Sequence, residues 1–423
     1  MRGLLLAFAL SWLVLASAGQ AEPLRATHYW GRAWPVNFWN SFRMEDVDRD
    51  FGQIRQDGFD TIVLVVPWGE FDPGILPCCR QNPSVWQHLD KLTERAAAAG
   101  LKVVLRFGYV WSFESGIQQQ DLERQIGVFL DDRVLAAFVD HARRLNARMA
   151  KHKNFAFAFI TWEDFFLQHV SDLGISSFAG TALEKEYRGF LKRNYSLDQL
   201  REMFRLPALA SFDAAPFPVP SSTQPGDERV RLFHHFWDDL LVHRIFLSVQ
   251  KVMPSLSLEV RIDADPLLLP GGGYDWINHS RTYKLPRAKV VTAYYRIPWA
   301  MPNQGDLASA DQALDKFGRL LKELASQTPT QTVFFDQLLF NDNTPGFETG
   351  TRLAPDEINS FLAKLAGPLG TTHGYALWHY RDYPSSYLYN GGFNRGLQGW
   401  RTQGEVAKKP LDRKSTRLNS SHT

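Results

Sequence analysis

The sequence predicts an exported (β/α)8 barrel, and three observations carry that expectation. Strand and helix signals alternate along most of the 423 residues, which argues for a parallel sheet with crossover helices. Polar side chains gather where apolar runs stop, as at Phe155-Ala156-Phe157-Ala158-Phe159-Ile160-Thr161-Trp162-Glu163, and barrels of this kind keep their chemistry at the carboxyl ends of the strands. The chain opens Met1-Arg2-Gly3, with an apolar run from Leu4 to Ala18 and small residues at Ala16, Ala18 and Ala21. One positive residue before a run shorter than the roughly 20 residues of a membrane span reads as a secretory signal, residues 1–21, cleaved after Ala21. A periplasmic or secreted protein is the expectation, with no membrane span.

The elements follow in order. Strand one is expected at Ala26 to Trp30, then an amphipathic helix over Asp46 to Gln56. Strand two, Asp60 to Pro67, is a β-branched run flanked by Gly58 and Gly69, and a helix from Val85 to Ala99 stops at Gly100, as C-terminal glycines stop helices. Strand three is Lys102 to Phe107, and a long helix lies between Asp121 and His152. Strand four leads to Glu163, and a polar helix over Leu183 to Phe204 precedes a Pro- and Ser-rich loop from Pro207 to Pro225. An aromatic helix, Glu228 to Val252, leads to strand five at Ser257 to Ile262 and strand six at Lys289 to Tyr295. Helix six is Ser309 to Ala325, strand seven Thr332 to Asp336, helix seven Pro355 to Ala366, and strand eight Gly374 to His379. The barrel so defined occupies residues 22–387.

Composition removes several function classes. Without Arg2 and the last twelve residues, 43 basic side chains face 44 acidic ones, and no basic block would track a phosphate backbone, so nucleic acid is not an expected partner. The His residues show no His-Glu-x-x-His spacing, and His234-His235 are neighbours that diverge on a helix, so no metal site is expected. Gly271-Gly272-Gly273 lacks a following Lys-Ser/Thr, and no Gly-x-Ser-x-Gly elbow occurs, which argues against a phosphate cradle and a serine hydrolase. No cofactor is implied. Cys78-Cys79 reads as a pair of plain thiols, with a strained vicinal disulfide as the alternative.

Groups expected to converge on one mouth are Glu70, Arg106, Glu114, Glu163, Asp263, Asp265, Tyr294, Tyr295, Asp336, Trp378 and His379, with Trp68 beside Glu70. Carboxyl groups facing each other across a barrel mouth suit glycoside cleavage, one protonating the leaving oxygen and the other attacking carbon or activating water. Glu163 is the expected acid/base, its alternative being a surface carboxylate that caps the next helix. Asp336, at the end of Val333-Phe334-Phe335-Asp336, is the expected second carboxylate, its alternative a structural Asp. Glu70 and Glu114 are the substitutes. Thirteen Trp and 13 Tyr serve mostly as core, and those at strand ends as saccharide platforms. Trp68, Arg106, Trp162, Tyr294, Tyr295, Trp378 and His379 are therefore expected to bind carbohydrate.

These residues resemble the clan of retaining (β/α)8 glycoside hydrolases that includes cellulases and β-galactosidases. Glu163 in Trp162-Glu163 matches the clan's strand-four acid/base, Trp378 in Tyr375-Ala376-Leu377-Trp378 matches its strand-eight Trp, and Arg106 matches a strand-three Arg beneath the nucleophile. Residues 187–200 are similar to a helix pair of the β-galactosidase-like branch. Two departures stand out: Trp162 replaces the usual Asn, and Asp336 replaces the usual Glu. The resemblance implies hydrolysis of a β-linked polysaccharide or oligosaccharide. Because Asp is one methylene shorter, it implies a shifted strand-seven backbone, a nucleophile elsewhere, or a barrel that only binds carbohydrate for an exopolysaccharide system. A transglycosylase using the same pair is a further alternative.

After the barrel, Asn390-Gly391-Gly392-Phe393-Asn394-Arg395-Gly396-Leu397-Gln398-Gly399-Trp400 resembles the opening of a β-sandwich carbohydrate-binding module, so residues 388–411 are expected to start a truncated sandwich. Residues 412–423 resemble a sequencing-library adapter translated in frame and are set aside as an artefact.

Overall fold

A computed structural model of the chain describes residues 22–31, 38–39, 43–73, 81–108, 124, 126–160, 178–220, 222–259, 266–268, 270–271, 274–276, 280–285, 288–294, 307–338 and 352–380. Eight parallel strands close into a barrel: β1 Leu24–His28, β2 Thr61–Val66, β3 Lys102–Phe107, β4 Phe155–Ile160, β5 Leu256–Glu259, β6 Val290–Tyr294, β7 Val333–Leu338 and β8 Gly374–Leu377. Each strand pairs with its sequence neighbours, and β1 pairs with β8 to complete the ring. The (β/α)8 expectation is met. The expected signal segment, residues 381–411 and the terminal twelve residues lie outside the described residues. No helix among those described is long and apolar enough to cross a membrane.

Two layers hold the barrel. Inside, Leu24, Ala26, Val63, Val104, Phe157, Phe159, Val291, Phe334 and Ala376 pack against one another, because side chains of period two put every second residue of each strand into the lumen. Outside, the other residues of the strands meet the apolar stripes of the helices α1 Met44–Gln56, α2 Pro83–Ala98, α3 Asp132–Met149, α4 Ala182–Asn194, α5 Leu197–Phe204, α6 Glu228–Leu240, α7 Ala310–Gln327 and α8 Ile358–Leu369. At the closing seam Gly374 has φ +145°, and a Cβ there would stand 2.4 Å from the Leu24 carbonyl oxygen. Only glycine lets β1 and β8 approach so closely.

Three departures from the sequence expectation have physical causes. The single helix expected over Leu183 to Phe204 is two, because Ser196 and Gln199 form a reciprocal capping box that starts α5 afresh after Tyr195. The aromatic helix from Glu228 continues through a π-helical segment, Leu241–Phe246. Strand β7 runs two residues past Asp336 and carries one residue more than either neighbour: Phe335 faces Thr292 and Tyr375, and the next paired residue, Leu338, faces Tyr294 and Leu377. That bulge occupies Asp336-Gln337. Two short pairings went unforeseen, an antiparallel hairpin of Pro266–Leu268 with Tyr274–Trp276 around the triple glycine, and a parallel pair of Leu307–Ala308 with Arg352–Leu353.

Candidate functional site

The carboxyl ends of the strands hold a layer of four ionisable side chains. His28 ends β1, Arg106 lies in β3, Glu259 ends β5 and Asp336 sits at the β7 bulge. Each lies two residues beyond a lumenal or lumen-parity position (Ala26, Val104, Ser257, Phe334), so the strand period carries it into the barrel above the apolar plug. They come from strands one, three, five and seven, the alternate set that fills one interior layer of such a barrel. None of the four side chains has any solvent exposure.

Within the layer acidic and basic groups alternate. Asp336 Oδ1 lies 3.0 Å from His28 Nε2, and its Oδ2 lies 3.4 Å from an Arg106 terminal nitrogen. The other terminal nitrogen of Arg106 is 3.7 Å from Glu259 Oε2. His28 Nδ1 meets the Leu377 carbonyl oxygen at 3.1 Å. Burial alone would push the Asp336 carboxyl up, but the Arg106 charge and His28 outweigh it, and a hydrogen bond from Glu259 adds to them. The net effect holds Asp336 below its ordinary range.

Aromatic rings roof the layer. Trp378, only partly buried, sets its ring edge-on to His28 with centroids 5.1 Å apart, and the Arg106 guanidinium lies 5.6 Å from its centroid. Trp30 is fully buried beside it, 5.0 Å away, and stacks on His379 at 4.4 Å and 12°. Burial holds the His379 imidazole down, to about 3, with His28 contributing. The partly open indole offers a flat apolar face of the kind a sugar ring stacks on, while the Asp336 carboxylate lies enclosed below the surface.

The expected site residues distribute as follows. Arg106, Asp336, Trp378 and His379 belong to this layer and its roof. Trp68 and Glu70 are buried in a single helical turn, Trp68–Phe71, that follows β2. The Trp68 ring packs on Phe138 and His141, and the Arg124 guanidinium lies 5.6 Å from it, so its described contacts are with the helical layer. A buried polar pin fixes this turn: Asp72 Oδ2 accepts from His141 Nδ1 at 2.7 Å and from Arg144 at 2.8 Å, and Arg124 donates to the Asp72 carbonyl. Burial opposes the Asp72 charge, yet His141 and Arg144 hold its carboxyl low, while burial pushes His141 down. Tyr294 ends β6. Glu114, Trp162, Glu163, Tyr295, Asp263, Asp265 and the Cys78-Cys79 pair lie outside the described residues, and β4 ends at Ile160, three residues before Glu163.

Sequence reasoning missed His28, Glu259 and Trp30. Glu259 had a signal, the alternation Leu256-Ser257-Leu258-Glu259, in which a charge takes the place of an inward apolar residue. His28 lay inside the expected strand one without being singled out.

The closed (β/α)8 barrel is an architecture that solved structures of glycoside hydrolases share. In solved structures the chain is similar in fold to an exo-beta-1,4-mannosidase from Opitutaceae bacterium strain TAV5, at 14% identity and a TM-score of 0.50, over 90% of this chain and 57% of that one. It is also similar to GH5_18 from Streptomyces cattleya in complex with GlcNAc, at 15% identity and a TM-score of 0.53, over 86% of this chain and 74% of that one. A third is a GH5_18 variant from Bifidobacterium longum subsp. longum ATCC 55813 in complex with Manb1-4GlcNAc, at 13% identity and a TM-score of 0.50, over 90% and 75%. The chain thus spans little more than half the length of the mannosidase. No family model and no curated protein sequence matches it. These likenesses establish the fold of the retaining (β/α)8 glycoside hydrolases.

Proposed function

We propose that the protein is an exported glycoside hydrolase acting on a β-linked polysaccharide or oligosaccharide by the retaining route, with Glu163 as acid/base and Asp336 as nucleophile. One observation carries the reading: Arg106 and His28, which hold the Asp336 carboxyl low, are the same two side chains that contact the partly exposed Trp378. The β7 bulge supports it further. An extra residue re-aims a strand, which is the kind of adjustment a side chain one methylene short of Glu would need. In the sequence Glu163 comes three residues after the end of β4, and barrels of this kind draw catalytic groups from the segments that follow their strands. The structural neighbours include a mannosidase and complexes with GlcNAc and Manb1-4GlcNAc, which makes β-linked mannosides and N-acetylglucosaminides the first substrates to try.

In this mechanism Glu163 gives its proton to the leaving oxygen while Asp336 bonds the anomeric carbon; water activated by Glu163 then releases the sugar with retained configuration. The test is reducing-end release by the purified chain from β-glucans, galactans, mannans and bacterial exopolysaccharides, with Glu163→Gln alongside. Release that disappears in the variant supports the hydrolase. The complete burial of Asp336 favours a second reading, a carbohydrate-binding barrel that does not cleave, and binding of one polymer without release would support that one. Export is tested by recovering the mature protein from the periplasm or medium with its amino terminus at Glu22.

A further inference from the structure

His28 presents a donor–acceptor puzzle. Its Nδ1 lies 3.1 Å from the Leu377 carbonyl oxygen, an atom that only accepts, so Nδ1 carries a hydrogen and donates it. On the other side of the ring Nε2 lies 3.0 Å from Asp336 Oδ1, with neither side chain exposed. The 3.0 Å approach falls short of hydrogen-bond geometry, and neither Nε2 nor Oδ1 has another hydrogen-bond partner among the described residues. Were Nδ1 the ring's only N–H, a nitrogen lone pair would face a carboxylate lone pair at that distance, away from water, where such a mismatch is most costly.

We propose that His28 is a positioning residue that donates from both ring nitrogens, tying Asp336 to the β8 backbone through Leu377 and fixing its Oδ1 toward strand one while Arg106 fixes Oδ2 toward strand three. A proton on the His28–Asp336 contact also gives the Asp336 carboxylate a cation at each oxygen, His28 at Oδ1 and Arg106 at Oδ2. Removing the Nε2 donor would leave Asp336 held at one oxygen only. The carboxylate could then rotate about its Cβ–Cγ bond, and its attack geometry would be lost although the ion pair with Arg106 remained. The inference rests on the hydrolase reading for Asp336 as nucleophile; the placement of the proton does not.

Two measurements test it. Histidine-selective nitrogen-15 spectra of the full chain, with the His28 signals identified by their loss in His28→Gln or His28→Asn, are expected to show a hydrogen on both ring nitrogens at neutral pH. A bare Nε2 overturns the proposal whatever the enzyme does. The second is a rescue pair on an activated aryl glycoside. His28→Gln keeps an amide donor near the Nε2 position, and His28→Asn keeps one only near Nδ1. The Gln variant is expected within about tenfold of the parent in kcat, and the Asn variant down about a hundredfold or more, with KM little changed in either. Equal losses in two variants that unfold cooperatively would also overturn it. If the parent hydrolyses no glycoside, the hydrolase reading fails, and the nitrogen spectra still decide where the proton sits.

Discussion

Arg106 on β3 and Asp336 on β7 meet across the barrel at 3.4 Å with no solvent exposure on either side. Strands three and seven are on opposite sides of the closed ring, so this contact crosses the lumen instead of following the wall. Glu259 approaches the same guanidinium from β5. One cation therefore sets the positions of two carboxylates on different strands.

Asp336→Asn is expected to abolish turnover on every substrate, including activated aryl glycosides, and to destabilise the fold by about 3–5 kcal/mol, because it leaves buried cations short of a partner. Equilibrium denaturation reads the second effect. Asp311→Asn, which removes the partner of Lys364 at an exposed surface site, is expected to leave the denaturation midpoint essentially unchanged, because water and salt screen such a pair. Turnover of an aryl glycoside by Asp336→Asn would move the nucleophile to Glu114 or Glu70.

Glu163→Gln is expected to lose orders of magnitude in rate on substrates with poor leaving groups while still binding the polymer, since only the proton donor is removed. Comparing alkyl and activated aryl glycosides, together with a polymer-binding assay, checks it. Full activity would sink the acid/base assignment.

Gly374→Ala is expected to destabilise the barrel by more than about 2 kcal/mol, through the clash with Leu24 and the positive φ. At Gly318, exposed within α7, an added methyl group would meet nothing within 4 Å. There the same change is expected to stabilise by about 0.5–1 kcal/mol. Urea midpoints of the two variants should move in opposite directions.

Acid should weaken the fold through histidines as well as carboxylates. Burial lowers His379 to about 3 and His373 to about 4, so the folded state prefers both neutral. Unfolded chains take up these protons from about pH 6.5 downward, so this contribution is complete above that pH. It declines as pH falls toward the folded values. His379→Phe keeps a ring against Trp30 and is expected to flatten the dependence of Tm on pH between about 7 and 4. An unchanged slope would remove His379 from the account.

Asp72→Asn is expected to loosen the turn that holds Trp68 and Glu70, since the Asp72 side chain joins it to His141 and Arg144 on α3. Faster amide exchange confined to residues around 68–72, without a comparable change in β7, would show the pin acting locally.

The eight strands could be read because each is a short apolar run closed by a turn residue, and the sequence places all eight within a few residues of where they lie. Elements decided by a few hydrogen bonds were harder. The break between α4 and α5 was written in Ser196-Leu197-Asp198-Gln199, a capping box that a continuous polar pattern concealed. The β7 bulge was out of reach, because it exists only relative to the registers of β6 and β8. The site was half legible for a related reason. Arg106 and Asp336 stand out as charges in apolar strands, whereas pairing them with His28 and Glu259 requires knowing that the sheet closes and which faces turn inward.

The charged layer also divides the chain unevenly. Its two basic members, His28 and Arg106, come from the first four strands, and its two acidic members, Glu259 and Asp336, from the last four. Within the layer each half-barrel carries groups of one sign, so a half that collapsed by itself would seal like charges together in a dry interior. Ring closure and charge neutralisation then become a single event, which penalises half-barrel intermediates and mispaired copies alike.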